Sequence, residues 1–197
     1  MGGNVTRRLK HLRDIVVALA ILALALLIIA KLENEQALRF TGPFVAIDGD
    51  TLAVAGERLR IEGIDAPELG QTCERDDGST YACGEEARRT LRALASDGAW
   101  ECSDTRRDRY QRLLVVCKQG LDDLGERLVA AGAAVADGRY LVAEGKARAA
   151  GEGIWAGRFE RPSDWRRLRQ VEEAELAGWV QALLPRWMSN WFEGMKE

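Results

Sequence analysis

Residues 44–68 read FVAIDGDTLAVAGERLRIEGIDAPE, and this stretch decides the fold. Its apolar runs predict three short strands, and the glycine turns between them predict two tight reversals of the chain. The predicted strands cover residues 44–47, 52–55 and 59–64.

The chain after this stretch also contains short segments with the patterns of strands and helices. Further strands are predicted over 99–102 and 113–117, and helices over 85–96, 124–131 and 141–150. Gly132 follows the second of these helices as a natural carboxyl-terminal cap. We therefore predict an α+β fold for residues 43–160, with a five-stranded OB-fold β-barrel and three helices.

The amino terminus has a different character. Residues 15–30 are sixteen consecutive apolar residues, with basic residues before them and Lys31 after them. A helix rises ~1.5 Å per residue, so this run is about 24 Å long and nearly spans a bilayer core. The pattern predicts a transmembrane anchor over 15–31 behind a cytoplasmic flank, residues 1–14, with the remaining chain extracytoplasmic. A cleaved signal peptide, which would release the protein into the periplasm or medium, is the alternative.

Segments on both sides of the predicted barrel have their own character. Residues 32–42, before the barrel, are predicted as a linker. Residues 161–197, after it, are predicted as a Trp-rich amphipathic helical tail that Pro185 should bend or break. This tail could lie on a membrane surface or pack on the barrel as ordinary hydrophobic cover. The sequence leaves both possibilities open, as it does the oligomeric state.

Charge and histidine content restrict the chemistry. Residues 1–31 carry five basic groups and one acid, a net charge of +4, whereas the remaining 23 basic and 30 acidic groups give −7. Such a domain does not bind nucleic acid by bulk charge, so any contact must be local. The one histidine, His11, precedes the apolar run, which excludes histidine-dependent nucleases, serine-triad hydrolases and histidine-ligated zinc sites from the domain.

Four cysteines lie in the predicted domain, without the short paired spacing of a zinc site. Outside the cytoplasm an even number of cysteines favours disulfides, and three pairings are possible. We prefer Cys73 with Cys83 and Cys102 with Cys117.

Five charged residues carry the chemical signal: Asp50, Arg60, Asp65, Glu68 and Arg112. Three carboxylates could hold a hard cation and activate a water, and two guanidinium groups could bind a phosphodiester. Each taken alone is more simply explained as a turn residue or a solvated surface charge. Their order along the chain, not any single residue, favours a functional site.

Residues 44–155 resemble the thermonuclease (staphylococcal nuclease-like) family. The shared motifs, in order, are Asp48-Gly49-Asp50-Thr51, Arg60, Asp65-Ala66-Pro67-Glu68, Asp108-Arg109-Tyr110-Gln111-Arg112 and Gly153-Ile154-Trp155. The resemblance implies an OB fold and Ca²⁺-dependent hydrolysis of phosphodiester bonds in DNA or RNA, with 3′-phosphate products.

The resemblance also implies roles for individual residues. Asp50, Asp65 and the backbone carbonyl of Ala66 would be Ca²⁺ ligands, and Glu68 would be the general base that takes a proton from water.

The same resemblance makes Arg60 and Arg112 the pair that binds the phosphate and stabilises the transition state. Tyr110 would donate a hydrogen bond to a substrate phosphate.

Two departures from the family pattern concern substrate binding. Gln111 stands where the family has glycine, in the turn that presents Arg112. A nucleotide-contacting tyrosine of the family is replaced near Asp137, although Tyr140 lies close by. A non-catalytic, membrane-tethered OB module that binds nucleic acid or a protein is the alternative, but relatives of that kind lose the acids or arginines that persist here.

Overall fold

The computed structural model describes residues 3–36 and 38–183, and the chain separates into two units, Met1–Arg39 and Phe40–Glu197. The helices are α1 (Gly3–Gln36), α2 (Cys83–Ser96), α3 (Leu124–Ala130), α4 (Leu141–Ala150) and α5 (Pro162–Leu183), with a short 3-10 helix over Gly153–Ala156. The strands are β1 (Arg39–Thr41), β2 (Val45–Ala46), β3 (Thr51–Val54), β4 (Glu57–Ile61), β5 (Ile64–Asp65), β6 (Cys73–Arg75), β7 (Thr80–Tyr81), β8 (Glu101–Arg107), β9 (Leu113–Gln119), β10 (Asp122–Asp123), β11 (Val135–Ala136) and β12 (Gly157–Arg158).

The main sheet has the strand order β1-β8-β9-β4-β3-β2, with β10 paired to β9. Strands β2, β3 and β4 form an antiparallel meander, β4 runs parallel to β9, and β9 is antiparallel to β8. The path β2-β3-β4-β9-β8 uses the five predicted strands and fits an OB-type curled sheet. The α+β class is therefore as predicted.

Apolar residues on the inner face of the sheet form the core. In β9 the buried residues alternate along the strand, with Leu113, Val115 and Cys117 pointing inward. Trp100, 1 % exposed, fills the space beside them, and its indole N–H donates to the carbonyl of Leu94 at 2.8 Å. This core fixes β4, which carries Arg60, and the neighbouring strands whose ends and turns carry the other charged residues.

Two disulfides tie the elements together, in the pairing that we preferred. Cys102 and Cys117 join β8 to β9 at opposite register positions in the core. Cys73 and Cys83 join β6 to the first turn of α2.

The structure contains elements that the sequence analysis did not predict. Strands β5 to β7 and β10 to β12 have two or three residues each, too few to show the alternation that identifies a strand in sequence. The predicted linker, 32–42, contains the end of α1 and the whole of β1.

Helix α1 covers the apolar amino-terminal run, and the described side chains of this run are exposed within the single chain. A transmembrane anchor was predicted here over 15–31. In the described parts of the chain, however, no helix meets both the length and the apolar content required to cross a membrane.

Helix α5 begins at Pro162, a residue suited to the first turn of a helix because its missing N–H needs no partner there. It runs unbroken to Leu183 and belongs to the same unit as the sheet. Pro185 and the last part of the predicted Trp-rich tail lie outside the described residues.

Candidate active site

Asp50 lies in the turn between β2 and β3 and is held by its neighbours. Its backbone N–H donates to Asp48 Oδ1 at 3.0 Å, and its Oδ1 accepts from the Thr51 hydroxyl at 2.9 Å. The residue is only 4 % exposed. The turn therefore fixes a carboxylate in a buried position, which requires a compensating charge nearby.

Arg60 supplies that charge. The antiparallel register of β3 and β4 places Arg60 opposite Thr51, beside Asp50. Its Nη1 lies 2.6 Å from Asp50 Oδ2, and its Nη2 lies 3.3 Å from Asp65 Oδ1. One guanidinium thus bridges the two carboxylates among the three predicted metal ligands.

Burial dominates the electrostatics of this pair. Desolvation raises the pKa of Asp50 to about 7, although the positive charge of Arg60 acts in the opposite direction. Desolvation by itself would lower the pKa of Arg60, but the carboxylates of Asp50 and Asp65 outweigh it and raise this pKa. Asp50 is a desolvated carboxylate that additional positive charge would stabilise.

Glu68 lies in the loop after β5, in a turn closed by Gln71. The Gln71 backbone N–H donates to the Glu68 carbonyl at 2.8 Å, and the Glu68 N–H donates to Gln71 Oε1 at 3.3 Å. Gln71 is fully buried, and its side-chain amide donates to the Glu160 carbonyl at 2.7 Å. Helix α2 packs so closely that a Cβ on Gly84 would collide with the Glu68 carbonyl. Two hydrogen bonds with Gln71 and the close approach of α2 therefore fix the backbone of Glu68.

Arg166, from the first turns of α5, enters the same site. Its Nη1 donates to Asp65 Oδ1 at 3.0 Å and to Glu68 Oε1 at 2.7 Å, and its Nη2 donates to Asp65 Oδ2 at 2.9 Å. Hydrogen bonds from its guanidinium to Asp65, the largest cause, and to Glu68 raise the pKa of Arg166, so it remains charged. The sequence did not identify Arg166 as a site residue, because it shows only an arginine within a charged helix and not which side chains that arginine contacts.

Arg112 is presented by the turn between β8 and β9. Asp108 organises this turn, because its Oδ1 accepts from the backbone N–H groups of Tyr110 and Arg112, at 2.8 and 2.9 Å, and its Oδ2 accepts from Arg112 Nε at 2.8 Å. Burial would raise the pKa of Asp108, but these hydrogen bonds outweigh it and lower that pKa. Gln111 has φ 63°, the left-handed conformation that glycine adopts without strain. The turn is thus kept despite the substitution.

Tyr110 is exposed beside two arginines. Its ring centroid lies 4.7 Å from the guanidinium carbon of Arg109 and 5.4 Å from that of Arg112. Tyr140, in contrast, has a structural position, since its hydroxyl donates to Asp123 Oδ1 at 2.8 Å. Desolvation and then this hydrogen bond raise the pKa of Tyr140.

The structure brings most of the predicted site residues to one place. A small cavity of about 40 Å³ is lined by Asp48, Gly49, Asp50, Arg60, Ala66, Pro67, Glu68 and Arg112. It lies beside a wider cleft of about 770 Å³, lined by Arg58, Arg60, Glu68, Asp108, Arg109, Tyr110, Arg112, Arg166 and Gln170. Arg60, Glu68 and Arg112 line both.

The oxygen donors for a hard cation at this site are limited to a few groups. Asp50 and Asp65 are buried carboxylates, and both lie against Arg60. Across the described residues, no group of three or more acidic, histidine or cysteine side chains is arranged to hold a metal ion. A cation here would complete its coordination with backbone carbonyl, water and substrate oxygens.

The chain is similar to known proteins over the region that holds this site. Residues 58–157 match the family described as Staphylococcal nuclease homologue. The chain is 36 % identical over 126 residues to the succinoglycan biosynthesis protein ExoI of Rhizobium meliloti (strain 1021), covering 60 % of this chain and 66 % of that protein. It is 32 % identical over 139 residues to an uncharacterized endonuclease of Haemophilus influenzae, covering 64 % of this chain and 72 % of that protein. Together with the OB-type sheet, these matches show that the chain belongs to the staphylococcal nuclease homologue family.

Proposed function

We propose that this protein is a Ca²⁺-dependent nuclease that hydrolyses phosphodiester bonds in DNA or RNA. Membership of the family supports a nuclease-like role in general, and the Haemophilus relative is named an endonuclease. The observation that carries the specific proposal is the convergence of Arg60, Glu68 and Arg112 on one small cavity next to the buried carboxylate of Asp50. A carboxylate base and two guanidinium groups around one point suit hydrolysis of a phosphate ester.

Ca²⁺ would be held by Asp50, Asp65 and the backbone carbonyl of Ala66. These are the hard oxygen donors that Ca²⁺ accepts, and the desolvation of Asp50 favours a cation beside it. When bound, the ion would supply positive charge that stabilises the charge developing on the phosphate.

Glu68 acts as the general base in this proposal. Its carboxylate takes a proton from a water molecule as the water oxygen forms a bond to phosphorus. The bond from phosphorus to the 5′ oxygen breaks, and that oxygen takes a proton from solvent, leaving a 3′-phosphate. The fixed backbone of Glu68 supports this role, because a base must be held within hydrogen-bonding distance of the proton it takes.

Arg60 and Arg112 hold the non-bridging phosphate oxygens. A guanidinium remains protonated and can donate two parallel hydrogen bonds, which suits the charge that builds up in the transition state. Both are anchored by carboxylates, Arg60 by Asp50 and Arg112 by Asp108, so they enter the reaction already oriented.

The wider cleft supports a polyanionic substrate. It gathers five arginines, Arg58, Arg60, Arg109, Arg112 and Arg166, in a chain whose net charge is −3. Tyr110 is exposed there and could stack on a base or donate to a phosphate. Local positive charge in an acidic protein favours binding of nucleic acid at this cleft.

We also propose that the protein works in an oxidising compartment outside the cytoplasm. The two disulfides support this, because such bonds persist where thiols are not kept reduced. Mass spectrometry of protein taken from its native host without reductant should show both bonds formed, and four reduced thiols would contradict this placement.

The proposed activity is tested on the full chain with labelled single-stranded DNA and RNA. We expect cleavage in Ca²⁺, with 3′-phosphate ends, and its loss in excess chelator. Equal cleavage in chelator would contradict the calcium assignment, and failure to cleave either polymer in any divalent cation would contradict the nuclease assignment.

A further inference from the structure

We infer that Arg166 is a positioning residue of this active site, so that helix α5 is part of the catalytic apparatus. The inference rests on the proposed function, because Asp65 and Glu68 are assigned there as a metal ligand and the general base. It extends the site beyond residue 157, where the match to the family ends.

The guanidinium of Arg166 joins these two carboxylates directly. It binds both oxygens of Asp65, at 3.0 and 2.9 Å, and one oxygen of Glu68, at 2.7 Å. Asp65 is 6 % exposed, whereas the side chains of Arg166 and Glu68 are 37 % and 36 % exposed, so the guanidinium joins a buried carboxylate to a partly exposed one. A planar guanidinium with fixed N–H directions sets the orientation of the carboxylates that it binds.

The charges explain why such a residue is needed. Asp50, Asp65 and Glu68 are carboxylates gathered at one site, and like charges at close range repel. Arg60 is paired with Asp50 and Asp65, whereas the pairing of Glu68 comes from Arg166. Arg166 therefore provides the charge that holds Glu68 beside the predicted ligands.

The beginning of α5 is anchored to the loop that carries Glu68. The side-chain amide of Gln71, from that loop, donates to the Glu160 carbonyl just before the helix. Trp165 approaches Gly70 of the same loop, since a Cβ added at Gly70 would lie 3.8 Å from an atom of the Trp165 ring, and Pro162 is buried. The first turn of α5 is thus fixed against this loop, and it holds the Arg166 guanidinium in a preorganised position.

The geometry favours positioning over competition with the cation. A carboxylate oxygen can accept about two hydrogen bonds. Within the described residues, Asp65 Oδ2 accepts one bond from Arg166, and Asp50 Oδ1 accepts one from Thr51. Each of these two carboxylates therefore keeps an oxygen with room for a cation while Arg166 stays in place. Partners of this kind, bound to a metal's ligands, typically change metal affinity or activity by about 10–100-fold.

The test compares Arg166→Ala and Arg166→Lys with Arg167→Ala in the full chain. Arg167 is the matched control: it lies in the same turn of α5, carries the same charge and pairs with Asp164 away from the site. Three quantities are measured for each variant: Ca²⁺ affinity by calorimetry, kcat and KM for single-stranded DNA, and the melting temperature.

We expect Arg166→Ala to bind Ca²⁺ more weakly and to lose roughly 10–100-fold in kcat, with little change in KM. Arg166→Lys should recover part of the loss, because lysine restores the positive charge but not the paired N–H groups of the guanidinium. Arg167→Ala should match the wild type in every quantity.

Several results would overturn the inference. Tighter Ca²⁺ binding in Arg166→Ala would mean that the arginine competes with the cation, and a rise in KM alone would mean that it binds substrate phosphate. Wild-type kinetics in Arg166→Ala, or no recovery in a folded Arg166→Lys variant, would also refute positioning. Inactivity of the wild type itself would instead count against the proposed function.

Discussion

Arg166 lies 101 residues after Asp65 in the chain, yet it donates two hydrogen bonds to that carboxylate, at 3.0 and 2.9 Å. This contact brings the helix after the barrel into the site formed by β4, the β2–β3 and β8–β9 turns and the segment that carries Asp65 and Glu68. The site is therefore built by two separate parts of the unit. Substitutions outside the family match, residues 58–157, should also change its activity.

Loss of Arg112 should reduce activity strongly. Arg112→Ala removes a guanidinium that we propose binds the phosphate, and we expect a fall of about 10²–10³-fold in kcat. Arg112→Lys should recover little, since lysine lacks the paired N–H groups. Arg106→Ala is the control, because Arg106 is exposed and pairs with Glu62. Steady-state kinetics would contradict this role if both alanine variants behaved alike.

Gln111 should be replaceable by the residue that its backbone favours. Its φ of 63° is strained for glutamine, so Gln111→Gly should leave activity intact and raise stability by up to about 1 kcal/mol. Gln111→Ala keeps the strain and should bring no such gain. Urea denaturation measures both, and equal stabilisation by alanine and glycine would show that strain at this turn is not the cause.

A methyl group on Gly84 should disturb Glu68. The added Cβ would collide with the Glu68 carbonyl, so Gly84→Ala should shift that loop and lower both activity and melting temperature. Gly145→Ala is the matched change in another helix, since a Cβ there has nothing within 4 Å. It should raise stability by roughly 0.5–1 kcal/mol. A fully active Gly84→Ala variant would contradict the close packing of Gly84 against the Glu68 carbonyl.

The raised pKa of Asp50 should make the metal-free protein less stable as the pH rises. With a pKa of about 7 in the folded chain and 3.8 as the ordinary value, the folded state binds this proton more tightly. Stability from this group is therefore present at low pH and is lost as the pH rises between these values.

Asp50→Asn isolates the effect, because asparagine does not titrate. In chelator, the unfolding free energy of the wild type minus that of the variant should fall between pH 5 and pH 8. A difference that stayed constant or grew over this range would show that burial does not govern the ionisation of Asp50.

The sequence was sufficient to predict the strands of the barrel and to single out several residues that the fold brings together. The five predicted strands form the path β2-β3-β4-β9-β8, because their apolar residues alternate or cluster where strands must bury one face. The order of acids and arginines placed Arg60, Glu68 and Arg112 together, and the structure has them around one cavity.

The rest depended on contacts that have no local pattern. Nothing near Arg166 marks it as a partner of Glu68, since the pairing depends on how α5 packs after the barrel has formed. The bridge from Arg60 to both aspartates was also missed, because the sequence shows which charges are present and not which of them neutralise each other. Two-residue strands such as β11 form only because β5 is there to pair with them.

The central claim is that Glu68 is the base, and one comparison of initial rates tests it most directly. Glu68→Gln is compared with Glu85→Gln in Ca²⁺ on single-stranded DNA. Glu85 is closely matched, since both glutamates have 36 % exposed side chains and an arginine at 2.7 Å, but Glu85 lies on α2 outside the site. We expect Glu68→Gln to retain its fold and lose at least about 10²-fold in rate, while Glu85→Gln cleaves as the wild type does. Equal rates in the two folded variants would contradict the account.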